Sequence, residues 1–235
     1  MKKLFIAAIA VFGFATANAQ YKAEKGDLQT SVDFRPFNNN GKEMFENIGI
    51  NASYFLTDKD ALRLGLNFGL NNTKEGEKTN TTNKTTNKST LFGIGVGYER
   101  HFGKFDRLDI YAGAEAEFSL RSNSIKIENN NGSAELKGSN DEKLAAALIG
   151  GYTPGTIDND KRGYTAFGVG VFTGANFYVY KKLYVGAEIE FAFSNTSYKK
   201  IEASNGTATT EVAPKATGTE LKFAVNPALR LGWTF

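Results

Sequence analysis

The 235-residue sequence contains no cysteine, a single histidine, a single tryptophan and only four prolines. Without cysteine there is no disulfide framework, no thiolate metal site and no cysteine-linked lipid anchor at a leader cut. With one histidine, any Ser–His mechanism has to use His101, and a metal site of the usual His spacing cannot be assembled. Charge of one sign is not in large excess either. The formal net charge is +3, and it falls to +1 once Lys2 and Lys3 are removed, because the first 19 residues hold no Asp or Glu. A near-neutral balance argues against a nucleic-acid partner. Long apolar runs are missing as well. The one continuous stretch, Leu4 to Ala15, is too short for a comfortable transmembrane helix.

That stretch has another reading. Lys2 and Lys3, the apolar run, and Ala17-Asn18-Ala19 before Gln20 form the three parts of a secretory signal peptide. The expected organisation is a signal peptide over 1–19, cleaved after Ala19, and one domain over 20–235. An exported chain without a spanning helix is either soluble or a barrel. Twenty-five glycines and 13% aromatic residues suit long strands with aromatic girdles. A mean hydropathy of −0.35 does not oppose this, because a barrel hides its apolar half by alternation.

The alternation is most complete at the carboxyl end, in ELKFAVNPALRLGWTF (220–235). Leu221, Phe223, Val225, Pro227, Leu229, Leu231, Trp233 and Phe235 share one face. Glu220, Lys222, Asn226, Arg230 and Thr234 share the other. With Leu231 and Trp233 alternating before Phe235, this end resembles the closing strand of Gram-negative outer-membrane β-barrels. GAEAEF (113–118), FTGANFYVYKKLYVGAEIEF (172–191) and GWTF (232–235) also resemble porin-family barrels of gut and oral anaerobes, and the whole is similar to the OmpX-like and OmpA transmembrane domains. The resemblance implies outer-membrane lipid around the barrel and recognition of Trp233 and Phe235 by the barrel-insertion machinery. The closing strand is expected to end the chain, with no trailing peptidoglycan-binding domain.

The fold expected is all-β: an antiparallel transmembrane β-barrel of eight strands. They fall at about 27–37, 47–56, 61–70, 91–102, 108–120, 164–180, 183–193 and 220–235. The links at 57–60, 103–107 and 181–182 are short, whereas those at 71–90, 121–163 and 194–219 are long. That asymmetry matches short periplasmic turns, long external loops and periplasmic termini. The tract 71–90 consists almost wholly of Asn, Thr, Lys, Glu, Gly and Ser, so it is expected to be a solvated loop. Segment 121–163 reads as an extracellular hairpin. Two further barrel strands within it, making ten, remain the alternative.

In this register Asp33, Glu99, Asp109, Glu115, Glu117, Glu188 and Glu190 face inward, with Arg35, Arg63, Lys222 and Arg230. Eight strands leave room only for side chains, so these charges should pair into a narrow plug. The alternative is a cation-selective constriction. Glu115/Glu117 and Glu188/Glu190 each share a strand face, but period two does this throughout a lumen, and no nucleophile accompanies them. His101, two residues from a short turn, reads as a packed structural side chain. Gly93-x-Gly95-x-Gly97 and Gly168-x-Gly170 lack the helix and Lys-Ser/Thr of a phosphate loop, and instead leave space for long side chains across the lumen. No residue is assigned a catalytic, metal or cofactor role. The function expected is a non-enzymatic outer-membrane barrel with a structural or surface-interaction role. Loops 71–90, 121–163 and 194–219 are candidate sites for an extracellular protein or surface ligand. A narrow pore is the alternative, and a lipid-modifying enzyme acting through His101 a further one.

Overall fold

The computed structural model describes residues 22–34, 47–76, 84–102, 105–130, 132–149, 157–204, 208–225 and 228–235. Its strands are β1 (Leu28–Phe34), β2 (Asn47–Phe55), β3 (Asp60–Glu75), β4 (Lys84–His101), β5 (Leu108–Asn129) and β6 (Gly132–Lys137), followed by helix α1 (Glu142–Ile149). Then come β7 (Tyr164–Tyr180), β8 (Leu183–Tyr198), β9 (Ile201–Ser204), β10 (Thr209–Ala213), β11 (Ala216–Val225) and β12 (Ala228–Thr234). Antiparallel pairing runs β1–β2–β3–β4–β5–β7–β8–β12 and returns from β12 to β1, which closes an eight-stranded ring. β11 pairs with the upper part of β8 (Val225 opposite Phe191) and β12 with its lower part (Ala228 opposite Glu188). The register is the same on both sides of residues 226–227, so β11 and β12 serve as one closing strand.

Period two decides which side chains meet which medium. In β12, Leu229 and Leu231 are exposed while Arg230 is only 6% exposed. In β4, Val96 is 59% exposed while Glu99 and His101 are buried. A soluble protein shows the reverse. An exposed band of Leu, Val, Ile and Phe around a polar interior is the solution for hydrocarbon, and pairing of β12 with β1 closes the ring as a spanning barrel requires. No helix among the described residues is long and apolar enough to cross a membrane; the strands do so.

The ring has the eight strands expected from the sequence, and ten is excluded among the described residues, because β6 pairs with β5 and β9 outside the ring. The expected loops need correction. β3 and β4 stay paired out to Glu75–Thr85, so 71–75 and 84–90 are strand and not solvated loop. β5 continues to Asn129, β8 to Tyr198, and 194–219 contains β9, β10 and the start of β11. A composition argument weighs only a segment's own core-forming residues. Here the polar ends of β3 and β4 are held by neighbours that do have them, since β4 pairs with β5 at Asn87–Ile125 and Thr85–Ile127.

Above the ring, β5, β6, β9 and β10 form a four-stranded extension. Ile125 and Ile127 of β5, Leu136 of β6, Ile201 of β9 and Ala213 are buried with Leu144 and Ala145 of α1 in a core of their own. Helix α1 begins where the Asp141 carboxylate accepts the backbone N–H groups of Lys143 (3.0 Å) and Leu144 (3.2 Å), an N-cap. Leu144, Ala145, Leu148 and Ile149 line one helical face and close the core. Ile125 and Ile127 continue the inward parity of β5, so this cluster lies on the lumen side of the extended wall.

Candidate functional site

The interior is organised around Glu188 of β8. Arg63 of β3 reaches across the lumen and donates from Nη1 to Glu188 Oε2 (2.9 Å) and from Nη2 to Oε1 (3.0 Å), a fork-on-carboxylate pair. Arg230 of β12 donates from Nη2 to Glu188 Oε1 (3.0 Å), and Tyr111 of β5 donates its hydroxyl to Oε2 (3.0 Å). Each guanidinium has further acceptors. Arg230 donates to Asp33 Oδ2 from Nε (3.2 Å) and Nη2 (3.1 Å), and to the Tyr111 hydroxyl from Nη1 (2.7 Å). Arg63 lies 3.4 Å from both Glu99 and Glu115 and donates from Nε to Asn51 Oδ1 (3.1 Å). Its guanidinium carbon also stands 4.4 Å from the Phe172 ring centroid.

Side chains from β1, β3, β4, β5, β8 and β12 thus meet in one layer. Isolated charges at this depth would be too costly; here each carboxylate and guanidinium finds several partners. Asp33 also accepts from Asn51 Nδ2 (2.8 Å) and Ser31 Oγ (3.0 Å). Toward the short-turn end, His101 sits between Asp109 (Nδ1 to Oδ2, 2.7 Å) and Glu99 (Nε2 to Oε2, 3.4 Å). Its ring packs against Phe55 (4.7 Å) and Tyr111 (5.4 Å). Tyr178 and Tyr184 lie in contact nearer that end, and Gln29 Nε2 donates to the Tyr178 hydroxyl at 2.9 Å.

One layer toward the extension, Glu115, Glu117 and Glu190 bring carboxylate oxygens within 4.8 Å of one another. Glu117 accepts from Asn67 Nδ2 at 3.2 Å. The glycine series makes room here. A Cβ on Gly93 would stand 2.9 Å from Glu117 Oε1, and one on Gly170 would stand 2.8 Å from Glu190 Oε1. The oxygens are of the type that suits a hard cation.

All seven acidic residues assigned inward from the sequence are inward, and Arg63 and Arg230 hold the centre. Arg35 and the side chain of Lys222 lie outside the described residues. His101 is packed between two carboxylates and two aromatic rings, and no serine hydroxyl lies within hydrogen-bond reach of it among the described residues. The sequence reasoning did not single out Asn51, Ser31 or Gln29, although each has the inward parity of its strand. It also did not find the apolar core of the extension. The signal for that core is the unbroken alternation through Ile125 and Ile127, answered by Ala134 and Leu136.

The model of the putative OmpA-OmpF-like porin family matches residues 34–235. No curated protein matches the sequence. Among solved structures, the chain is similar to the N-terminal β-barrel domain of Pseudomonas aeruginosa OprF, with 12% identity, a TM-score of 0.40, and coverage of 91% of this chain and 100% of that one. It is similar to Ail, the attachment invasion locus protein of Yersinia pestis, at 9% identity and a TM-score of 0.40, covering 90% and 99%. It is also similar to CarO2 of Acinetobacter baumannii, at 12% identity and a TM-score of 0.36, covering 91% and 100%.

Proposed function

This chain belongs to the putative OmpA-OmpF-like porin family, and we propose that it is a non-conducting, non-enzymatic outer-membrane barrel that works through its extended surface. The observation that carries this reading is the Arg63–Glu188–Arg230 junction, in which two guanidiniums and their carboxylates fill the lumen from opposite walls. Opening a water path would separate charges that are nearly solvent-free, and eight strands leave no spare diameter. The core of the extension, on the lumen side of the wall, adds a second obstruction.

Residues 1–19 are removed on export in this reading, leaving 20–235 as the barrel domain with both ends in the periplasm. The short links near 57–59 and 181–182 then face the periplasm, and the extension faces outward. Trp233 and Phe235 on the closing strand serve the insertion machinery. Folded β-structure in 121–163 and 194–219 gives a surface ligand a fixed platform in place of mobile loops. The acidic layer of Glu115, Glu117 and Glu190 favours a narrow cation pore as the second reading.

Single-channel recording in planar bilayers separates the two. The expected result is silence from protein whose heat-modifiable migration proves a folded barrel. Stable openings, with cation selectivity that falls in Glu115→Gln, would replace this reading with the pore.

A further inference from the structure

Four lysines from three separate segments converge where the extension meets the barrel rim. Lys137 ends β6, Lys199 and Lys200 join β8 to β9, and Lys215 joins β10 to β11; all line one cavity of about 410 Å³. Glu202 is the single acidic residue lining it and is engaged by Lys200 at 2.6 Å. Lys137, Lys199 and Lys215 close no salt bridge among the described residues. The lining thus holds four lysines against one carboxylate, with Glu202 opposite Lys137 on the paired strands, and the cavity keeps an excess of positive charge.

Two devices hold the lysine-bearing segments together. The first is Arg162, only 4% exposed. It donates from Nε to the Lys199 carbonyl (3.1 Å) and from Nη2 to the Pro214 carbonyl (2.6 Å), tying the segment before β9 to that before β11. Its partners among the described residues are carbonyl and amide oxygens and the Tyr198 ring, with no carboxylate, so it adds a buried cation behind the lysines. The second is Gly138. Backbone bonds run from Gly138 N–H to Asn123 O (2.9 Å), from Gly163 N–H to Gly138 O (2.8 Å) and from Lys199 N–H to Gly163 O (2.8 Å). Gly138 has φ +86°, and a Cβ there would stand 2.1 Å from the Lys200 carbonyl oxygen, so only glycine permits this approach.

The position of the cavity identifies its occupant. Thr165 and Ser197 line it, lie directly opposite each other on β7 and β8, and point outward. Two residues further into β7 on the same face is Phe167, 56% exposed, which begins the lipid-facing band. A group held at this boundary is best supplied by a molecule anchored in the same hydrocarbon layer. The cavity is large enough for a phosphosugar and too small for a protein surface. We infer that Lys137, Lys199, Lys200 and Lys215 bind the phosphate of an outer-leaflet glycolipid headgroup. This rests on the orientation proposed above.

The test uses the full-length mature barrel in phosphatidylcholine nanodiscs offered lipid A in phosphorylated and enzymatically dephosphorylated forms, with retained lipid counted by native mass spectrometry. The triple variant Lys199→Gln/Lys200→Gln/Lys215→Gln is expected to lose phosphorylated lipid A by on the order of a hundredfold in affinity, from about fivefold for each lysine near an anionic surface. Lys126→Gln, on the same outward face but farther from the membrane, is expected to leave retention unchanged. The wild type is expected to prefer the phosphorylated form, and millimolar inorganic phosphate is expected not to displace it. Equal retention by wild type and folded triple variant would overturn the proposal. Displacement by inorganic phosphate would overturn the lipid as its source. Orientation is read separately, by labelling Thr209→Cys on intact cells, where the chain offers no competing thiol. An unlabelled position would overturn the orientation and the lipid site with it, whereas labelling with undiminished lipid retention in the triple variant would overturn the site alone.

Discussion

Replacing Glu188 by Gln is the most direct probe of the lumen. The substitution keeps the shape of the side chain but removes the charge on which Arg63, Arg230 and Tyr111 converge. It also turns an NH2 donor toward groups that are themselves donors. Removing one partner of a buried ion pair costs about 3–5 kcal/mol, largely because the other charge is left uncompensated. Compensation is only partly lost here, since Arg63 keeps Glu99 and Glu115 and Arg230 keeps Asp33. The expected cost is therefore near the lower end, about 3 kcal/mol, or about a hundredfold in the folding equilibrium constant. Urea titration of the barrel in detergent micelles reads it, with the fluorescence of Trp233 on β12 as the only tryptophan signal and heat-modifiable migration as a second probe. Glu128→Gln removes a carboxylate paired with Lys126 at 2.5 Å, but both side chains are roughly half exposed, so its urea midpoint is expected to stay that of wild type. If Glu188→Gln also unfolds at the wild-type midpoint, the lumen is wet enough to screen these charges. The argument for a closed interior then fails.

Other perturbations address the extension and the turn. Leu144→Ala empties a 2% exposed position in the separate core of α1 and β5–β10, at a cost of about 2–5 kcal/mol. The expected outcome is faster amide exchange and proteolysis within 123–149 and 201–213 with unchanged heat-modifiable migration, and loss of the folded ring would refute the independence of the two cores. At the turn-side end of β3, outside the lipid-facing band, hydrogen bonds donated by Tyr98 and Thr57 hold the Asp60 carboxyl below the usual aspartate range against the opposing effect of burial, with a lesser contribution from the charge of Arg100. A depressed carboxylate stabilises the folded state above its unfolded pKa, and that contribution is lost as pH falls through the folded value. NMR titration of Asp60 should give a midpoint below the ordinary aspartate value, and a normal midpoint would count against these bonds.

Much of this molecule is legible along the chain because its dominant pattern is local. Leu62, Leu64 and Leu66 against Arg63 and Gly65 reveal both a strand and its two media, since neighbouring side chains of a strand point opposite ways whatever the strand pairs with. The same parity placed Asp33, Glu99, Asp109, Glu188 and Arg230 inside before any partner was known. Parity does not announce a strand whose two faces are both polar, which is why Thr85 to Thr90 read as loop. Those residues are strand because β3 and β5 flank them, and that is a property of neighbours.

From the sequence alone followed the exported leader as an expectation, the eight-stranded ring, the lipid-facing band and the sign of each inward residue. These need only alternation and turn chemistry, both set within a few residues. Tertiary structure alone decided that Arg63 meets Glu188, 125 positions away, and that His101 is held between Glu99 and Asp109. It also decided that Ile125, Leu136, Leu144 and Ile201 make a second core, and that four scattered lysines share a cavity. Each of these depends on strand stagger and on where β5 exchanges β7 for β6 as its partner. Those quantities come from closing the ring, and no stretch of residues carries them by itself.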